Sequence, residues 1–273
     1  MSPITVLGAS GFVGSALVRK LQDARLPYLA PGRTEKLTGR NLGDVIYCVG
    51  LTADFRSRLL ETVDAHVCHL MTIVRDCQFG SLVYLSSTRV YRKQSGVAHE
   101  EDIVSVHPSD QDDLYDISKL MGEAVAMAGC EKVKVVRLSN VYGPDFTSAN
   151  FLSTILRDVV QKKTVSLHSS PDSEKDYISL NDVVDSLLRI TLEGSHKIYN
   201  LAGGKNITNS QLADEIRKVT GQELRFDPAA HKTVPPRISI DRMREEFSFS
   251  PACVLDDLSA LIESYKAQFA ATA

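Results

Sequence analysis

Residues Ile4 to Gly14 read Ile-Thr-Val-Leu-Gly-Ala-Ser-Gly-Phe-Val-Gly, a β-rich run that meets three glycines spaced by three, Gly8, Gly11 and Gly14. Behind them Phe12, Val13, Ala16, Leu17 and Leu21 repeat with a helical period. A strand that turns sharply into a helix leaves unpaired N–H groups aimed at one point, and the helix dipole adds positive potential there. That point suits a pyrophosphate. Gly8 allows the tight turn, Gly11 lets a phosphate approach the backbone, and Gly14 lets the helix pack close to the strand. An ordinary β–α turn makes no such triple demand. The loop also follows a strand and starts a helix, which is the context the pattern needs.

The 273 residues suffice for one large or two small domains with a substantial core. A net charge of −3 and a pI near 6.2 leave no nucleic-acid footprint. No apolar run approaches a membrane span, and the start lacks a basic-then-apolar leader. The five cysteines, Cys48, Cys68, Cys77, Cys130 and Cys253, are odd in number and mostly sit in apolar runs. They read as free thiols of a reducing, cytoplasmic compartment. His66, Cys68 and His69 cluster on a helical pattern without a second ligand pair, so no metal site is expected.

A second strand is expected over 27–30, ending at Pro31-Gly32-Arg33. An acidic residue there would bind the ribose 2′-OH of NAD, whereas an arginine favours the 2′-phosphate of NADP. Arg33, with Lys36 and Arg40 near it, points to NADP, with NAD as the alternative and a solvated turn arginine as the plain reading. Only about ten residues precede the next strand, expected over 44–49. A full strand–helix–strand unit does not fit there, so one peripheral element must be shortened or missing. Leu59, Leu60, Val63, Val67, Leu70, Met71 and Val74 keep a helical period, and 81–87 (Ser-Leu-Val-Tyr-Leu-Ser-Ser) is a strand delivering hydroxyls at its carboxyl end. The β-α-β-α-β sequence is that of a doubly wound α/β fold with a parallel sheet. The acidic stretch 92–113 is too long for a plain connector and is expected as a loop beside the active site.

Tyr115 and Lys119 lie four residues apart, on one helical face. A phenol with a pKa near 10 is a poor acid–base group at neutral pH. A neighbouring ammonium and an oxidised nicotinamide favour its phenolate and fit it for proton exchange with a hydroxyl or carbonyl. The pair follows the hydroxyl-bearing strand and precedes a strand over 133–138 that ends in Ser139-Asn140.

In order along the chain stand GASGFVG, LSSTRVY, YDISK with Gly122-Glu123, RLSNVYGPD, then DYISLNDVVDSLL (176–188) and YNLAGG (199–204). The chain resembles, over nearly its whole length, the extended short-chain dehydrogenase/reductase family, the NAD-dependent epimerases, dehydratases and reductases of nucleotide sugars. The resemblance implies a Rossmann-type α/β fold with a dinucleotide-binding domain over 1–144. A smaller, interleaved substrate part would follow over 145–273, with 176–204 returning to the main sheet. It implies that Ser87 hydrogen-bonds the reacting oxygen, Tyr115 is the acid–base and Lys119 holds the cofactor ribose. Gly8, Ser10, Gly11, Phe12, Val13, Gly14, Arg33, Gly50 and Val141 would complete the cofactor site. Arg89, Asn140, Asn150, Phe151, Lys175 and Arg237 become candidates for the substrate side, with Lys175 standing where many relatives have an arginine. Dehydratases of the family carry an Asp-Glu pair just after the hydroxyl, where this chain has Thr88-Arg89, which argues against dehydration. The expected activity is hydride transfer at a sugar carbon, C4, of a nucleotide-diphosphate sugar, as reductase or epimerase, by a homodimer. The alternative is a non-catalytic NAD(P)-binding regulator or assembly factor on the same fold.

Overall fold

The computed structural model describes residues 2–51, 55–161 and 164–270. Its strands are β1 (Ile4–Leu7), β2 (Tyr28–Leu29), β3 (Asp44–Tyr47), β4 (Ser81–Ser87), β5 (Val97–Ala98), β6 (Val133–Leu138), β7 (Asn140–Tyr142), β8 (Val165–Leu167), β9 (Glu174–Ser179), β10 (Ile198–Leu201), β11 (Asn206–Thr208), β12 (Leu224–Phe226) and β13 (Arg237–Ile238). The helices are α1 (Phe12–Asp23), α2 (Leu59–Val63), α3 (His69–Asp76), α4 (Asp113–Gly129), α5 (Phe151–Val160), α6 (Leu180–Glu193), α7 (Asn209–Thr220), α8 (Asp241–Phe247) and α9 (Val254–Ala270).

A six-stranded parallel sheet runs in the order β10-β6-β4-β3-β1-β2. The strand after β2 does not continue outward but returns to the far side of β1, so the chain reverses direction between β1 and β3. The span from Ala30 to Gly43 that makes this return contains no helix, as its shortness requires. In an open parallel sheet, ligands bind outside the carboxyl ends of the strands at such a reversal.

Both faces of the sheet are covered, so its strands are apolar throughout. On one face Ile4, Val6, Ile46, Val83 and Val136 pack under Leu17 and Leu21 of α1 and Val183 and Leu187 of α6. On the other, Leu7, Val45, Tyr47, Leu82 and Tyr84 pack under Leu70 and Ile73 of α3 and Ala126 of α4. A separate core gathers α5, α7 and α9 through Leu156, Ile216, Leu258 and Ile262. Thr208 and Gln211 form a reciprocal capping box at the start of α7, and Gly221 ends it at φ +73.

Two expectations are corrected. Of the stretch 176–204, Ile198–Leu201 joins the main sheet beside β6, but Glu174–Ser179 pairs instead with β7 and β11 in a three-stranded sheet. The helical pattern from Leu59 to Val74 is present without a break, α2 running through one π-helical turn, Asp64–Cys68, into α3. Tyr47 and Tyr84 donate their hydroxyls to the Ala65 and His66 carbonyls of that turn, at 2.6 and 3.2 Å. The acidic stretch 92–113 is not wholly loop, because Val97–Ala98 pairs in parallel with Arg237–Ile238 and ties it to the C-terminal half.

Candidate active site

The glycine loop lies at the reversal of the sheet. Gly8 has φ +84, and a Cβ there would stand 2.9 Å from the Cys48 carbonyl carbon just past β3. A Cβ on Gly14 would stand 2.2 Å from the Gly8 oxygen, so α1 starts hard against the end of β1. Gly11 is the N-cap of α1 and offers no side-chain acceptor, so the first-turn N–H groups have no side-chain cap among the described residues. Ser10 is exposed at the lip of this loop, and Phe12 and Val13 are half-buried behind it. The backbone donors and the space kept free by glycine fit the diphosphate of a dinucleotide. Beyond β2, Arg33 and Lys36 are exposed, with no ion pair to either among the described residues. Arg40 is instead bound to Glu35, which also accepts from the Gly32 N–H at 3.2 Å.

Across the crevice, Ser87, Tyr115 and Lys119 come from two elements. Ser87 ends β4, and its hydroxyl caps the short turn Thr88–Tyr91 by accepting from the Arg89 N–H at 3.2 Å. Tyr115 lies in the first turn of α4, which is rich in aspartates, as the positive end of a helix favours. Gly122 allows α4 to approach, since a Cβ there would meet the Tyr84 hydroxyl at 2.1 Å. Tyr115 is buried, and burial pushes its phenol up to about 12, opposed by a hydrogen bond with Ser87 and by the charge of Arg89. Lys119 donates to the Leu85 carbonyl at 2.9 Å, and burial lowers it to about 7. Gly50 keeps the two sides apart by little, because a Cβ on it would lie 3.4 Å from the Lys119 Nζ.

The π-turn contributes a residue that the sequence pattern placed on a helix without a functional role. His66 is fully buried, with its ring edge-on to Tyr115 at 5.2 Å between centroids. Ser118 donates to the Tyr115 carbonyl at 2.8 Å, so its oxygen must accept from His66 Nδ1, also at 2.8 Å. His66 Nε2 then accepts from the Leu51 N–H, at 3.4 Å. Burial and Lys119 drive the imidazole down to about 2, so it is neutral. His66 thereby ties the Gly50-Leu51 loop to the helix that carries Tyr115. Helical spacing placed His66 on this element but not against Tyr115, because the wider i→i+5 turn shifts the face that its residues present.

The substrate-side candidates divide into three groups. Arg89 is not a free rim cation: its Nε lies 3.2 Å from Asp116, and Nη2 donates to the Asp112 carbonyl at 3.1 Å. Asn140 follows β6 at the same sheet edge and donates to the Asp176 carbonyl at 2.8 Å. Lys175 is half-buried with its Nζ 4.6 Å from the Phe151 ring centroid, beside the start of α5, where Asn150 holds the N-cap position without a side-chain capping bond. Burial lowers its pKa, and no ion pair to it is present among the described residues. Tyr177, two residues on, has a buried hydroxyl without a hydrogen-bond partner among the described residues. Val141 is half-buried on β7. Arg237 lies apart, exposed on β13 next to Val97.

Residues 41–202 match the model of the NAD dependent epimerase/dehydratase family. The chain belongs to this family. The matched span starts after the glycine loop, so the packing of Gly8 and Gly14 is separate support for a dinucleotide site. A dTDP-4-dehydro-6-deoxy-D-allose reductase from Streptomyces bikiniensis is 26% identical over 91% of both chains. Among solved structures, the chain superposes on RMD from Pseudomonas aeruginosa complexed with NADPH with a TM-score of 0.81 at 20% identity, covering 98% of this chain and all of that one. UDP-glucuronic acid 4-epimerase from Bacillus cereus with NAD gives a TM-score of 0.82 at 15% identity, over 98% of each. These likenesses establish the doubly wound fold. Among the described residues no helix is long and apolar enough to cross a membrane, and no three His, Cys, Asp or Glu side chains converge as a metal site.

Proposed function

We propose that this protein is an NADPH-dependent reductase of a 4-keto sugar carried on a nucleoside diphosphate. The observation that carries the reading is the buried Tyr115 hydrogen-bonded with Ser87 at the end of β4, with Lys119 one helical turn on beside Gly50 and the start of α1 without a side-chain cap. In this reading the cofactor supplies a hydride to the sugar C4. Ser87 and Tyr115 bind the carbonyl oxygen, and Tyr115 gives it a proton. Lys119 holds the cofactor ribose, and its pKa, lowered to about 7 by burial, lets it pass a proton on. Lys175, without a counter-ion among the described residues and next to the start of α5, takes the substrate diphosphate, with Asn140 and Asn150 as polar neighbours. Arg33 and Lys36 favour a 2′-phosphate, which supports NADP over NAD.

The reductase from Streptomyces bikiniensis supports reduction over epimerisation, as does the absence of carboxylates at Thr88 and Arg89 over dehydration. Retention of the serine, tyrosine and lysine together argues against a non-catalytic regulator. Exposed Leu60, Met71, Met121 and Met127 on α2, α3 and α4 suggest a shared face, and we assign it to a second copy of the chain in a homodimer. Five free cysteines suit a reducing cytoplasm.

The test is titration of ligand-free protein with NADPH and NADH, followed by nicotinamide fluorescence, with Arg33→Ala alongside. NADPH preference that disappears in the variant supports the reading. NADH preference, or cofactor that cannot be stripped, moves the assignment to an epimerase. Binding of neither removes the basis of the proposal.

A further inference from the structure

Arg89 touches two of the proposed catalytic groups at once. Its backbone N–H donates to the Ser87 hydroxyl oxygen at 3.2 Å. Its guanidinium carbon lies 5.9 Å from the centroid of the Tyr115 ring and 5.2 Å from that of Phe55, itself 4.8 Å from Tyr115. The side chain is held from behind by Asp116 at 3.2 Å and by the carbonyl and carboxylate of Asp112, at 3.1 and 3.9 Å. Asp116 is the residue after Tyr115, on the same turn of α4, so a shift of that turn carries the tyrosine and the anchor of Arg89 together.

We propose that Arg89 is a positioning residue that sets the geometry and charge around the proton donor, its N–H orienting Ser87 and its guanidinium held against Tyr115. The proposal rests on Tyr115 being the proton donor, and it replaces a role for Arg89 in holding a substrate phosphate.

The charges around Tyr115 make the effect directional. From the end of β4 come Ser87 and Arg89. From α4 come Asp116 and Lys119, from the π-turn His66, and from β4 the hydroxyl of Tyr84. His66 is neutral, Tyr84 is held protonated by burial, and Lys119 sits near 7. A guanidinium stays charged at every working pH, so Arg89 is the permanent cation of the group. It opposes the carboxylate of Asp116 and favours the phenolate of Tyr115.

The test measures the titration of Tyr115 directly in protein carrying 13Cζ-labelled tyrosine, with and without NADP+, using Tyr115→Phe to assign the signal. Arg89→Met is expected to move the Tyr115 titration upward by on the order of one pH unit. Arg89→Lys, which keeps the charge, should restore most of it. The limb of the pH–rate profile for NADPH-dependent keto-sugar reduction that reports Tyr115 should move in the same direction. The substitution should leave the fold standing, since Asp116 keeps Arg92 at 2.7 Å and Asp112 keeps Arg56 at 2.8 Å. Arg89→Gln is a second neutral variant that retains a donor to the Asp112 carbonyl.

An unchanged Tyr115 titration in both neutral variants, with the loss confined to a higher KM for the nucleotide sugar, would make Arg89 a substrate contact and overturn the proposal. A shifted titration in a protein that turns over no keto sugar would sustain the proposal and overturn the reductase reading instead.

Discussion

Replacing Gly14 by alanine is the sharpest test of how the first strand, the first helix and the cofactor are joined. The added Cβ would sit 2.2 Å from the Gly8 oxygen and 2.8 Å from its carbon, where ordinary contact begins near 3.4 Å. The start of α1 must therefore retreat by roughly 1 Å, since Gly8 itself is pinned at φ +84 against the backbone of Cys48 and Val49. Overpacking of this kind costs about 1–3 kcal/mol of stability. The N–H groups at the helix start move with it. If two of their bonds to a phosphate are lost at about 1.5–3 kcal/mol each, NADPH affinity falls by at least about 100-fold. Thermal melting and fluorescence titration read the two effects separately. A Gly14→Ala protein with wild-type melting and wild-type NADPH affinity would refute the reasoning. Lost stability with intact affinity would confine the error to the phosphate cradle.

Other expectations follow from single contacts. Tyr115→Phe should bind NADPH normally and lose turnover by about 100- to 10,000-fold, measured as steady-state kcat. Lys119 is buried and its folded-state pKa, about 7, is depressed below the ordinary value, so its contribution to stability is present at high pH and is lost as pH falls toward 7. Lys119→Met should flatten that slope between about pH 10 and pH 7 and raise the melting temperature at neutral pH, while abolishing turnover; each pKa unit removed corresponds to about 1.4 kcal/mol. Urea titrations across the range would detect it. Glu123 and Arg137 form a buried pair at 2.7 Å, to which Ser86 and Tyr91 also bond. Glu123→Ala leaves the guanidinium buried without its counter-charge and should cost about 3–5 kcal/mol. A loss below about 1 kcal/mol in denaturant melts would show that Tyr91 and the Glu100 carbonyl suffice to hold Arg137.

Much of this molecule was legible in short stretches of its chain. The glycine loop, the apolar strands and the four-residue step from Tyr115 to Lys119 all depend on neighbours a few residues away, where periodicity and backbone freedom act directly. The same holds for the capping box at Thr208 and Gln211. The short span before β3 even announced a missing element. Nothing local marked the destination of β9, because a strand's sequence is compatible with many partners and its pairing is set by what the rest of the chain leaves open. Nor could spacing foretell that Arg89 would be taken up by Asp112 and Asp116.

The amino-acid order by itself determined the class of fold, the glycine turn proposed to cradle a dinucleotide and the four-residue spacing of the proposed acid–base pair, since each is a local consequence of side-chain size, φ/ψ freedom and helical pitch. Tertiary structure alone decided the environment of Tyr115. Only packing brings the π-turn, with His66, and the turn after β4, with Arg89, against one phenol, and a proton's affinity for that phenol depends on the charges and solvent within a few ångströms, whatever their distance along the chain.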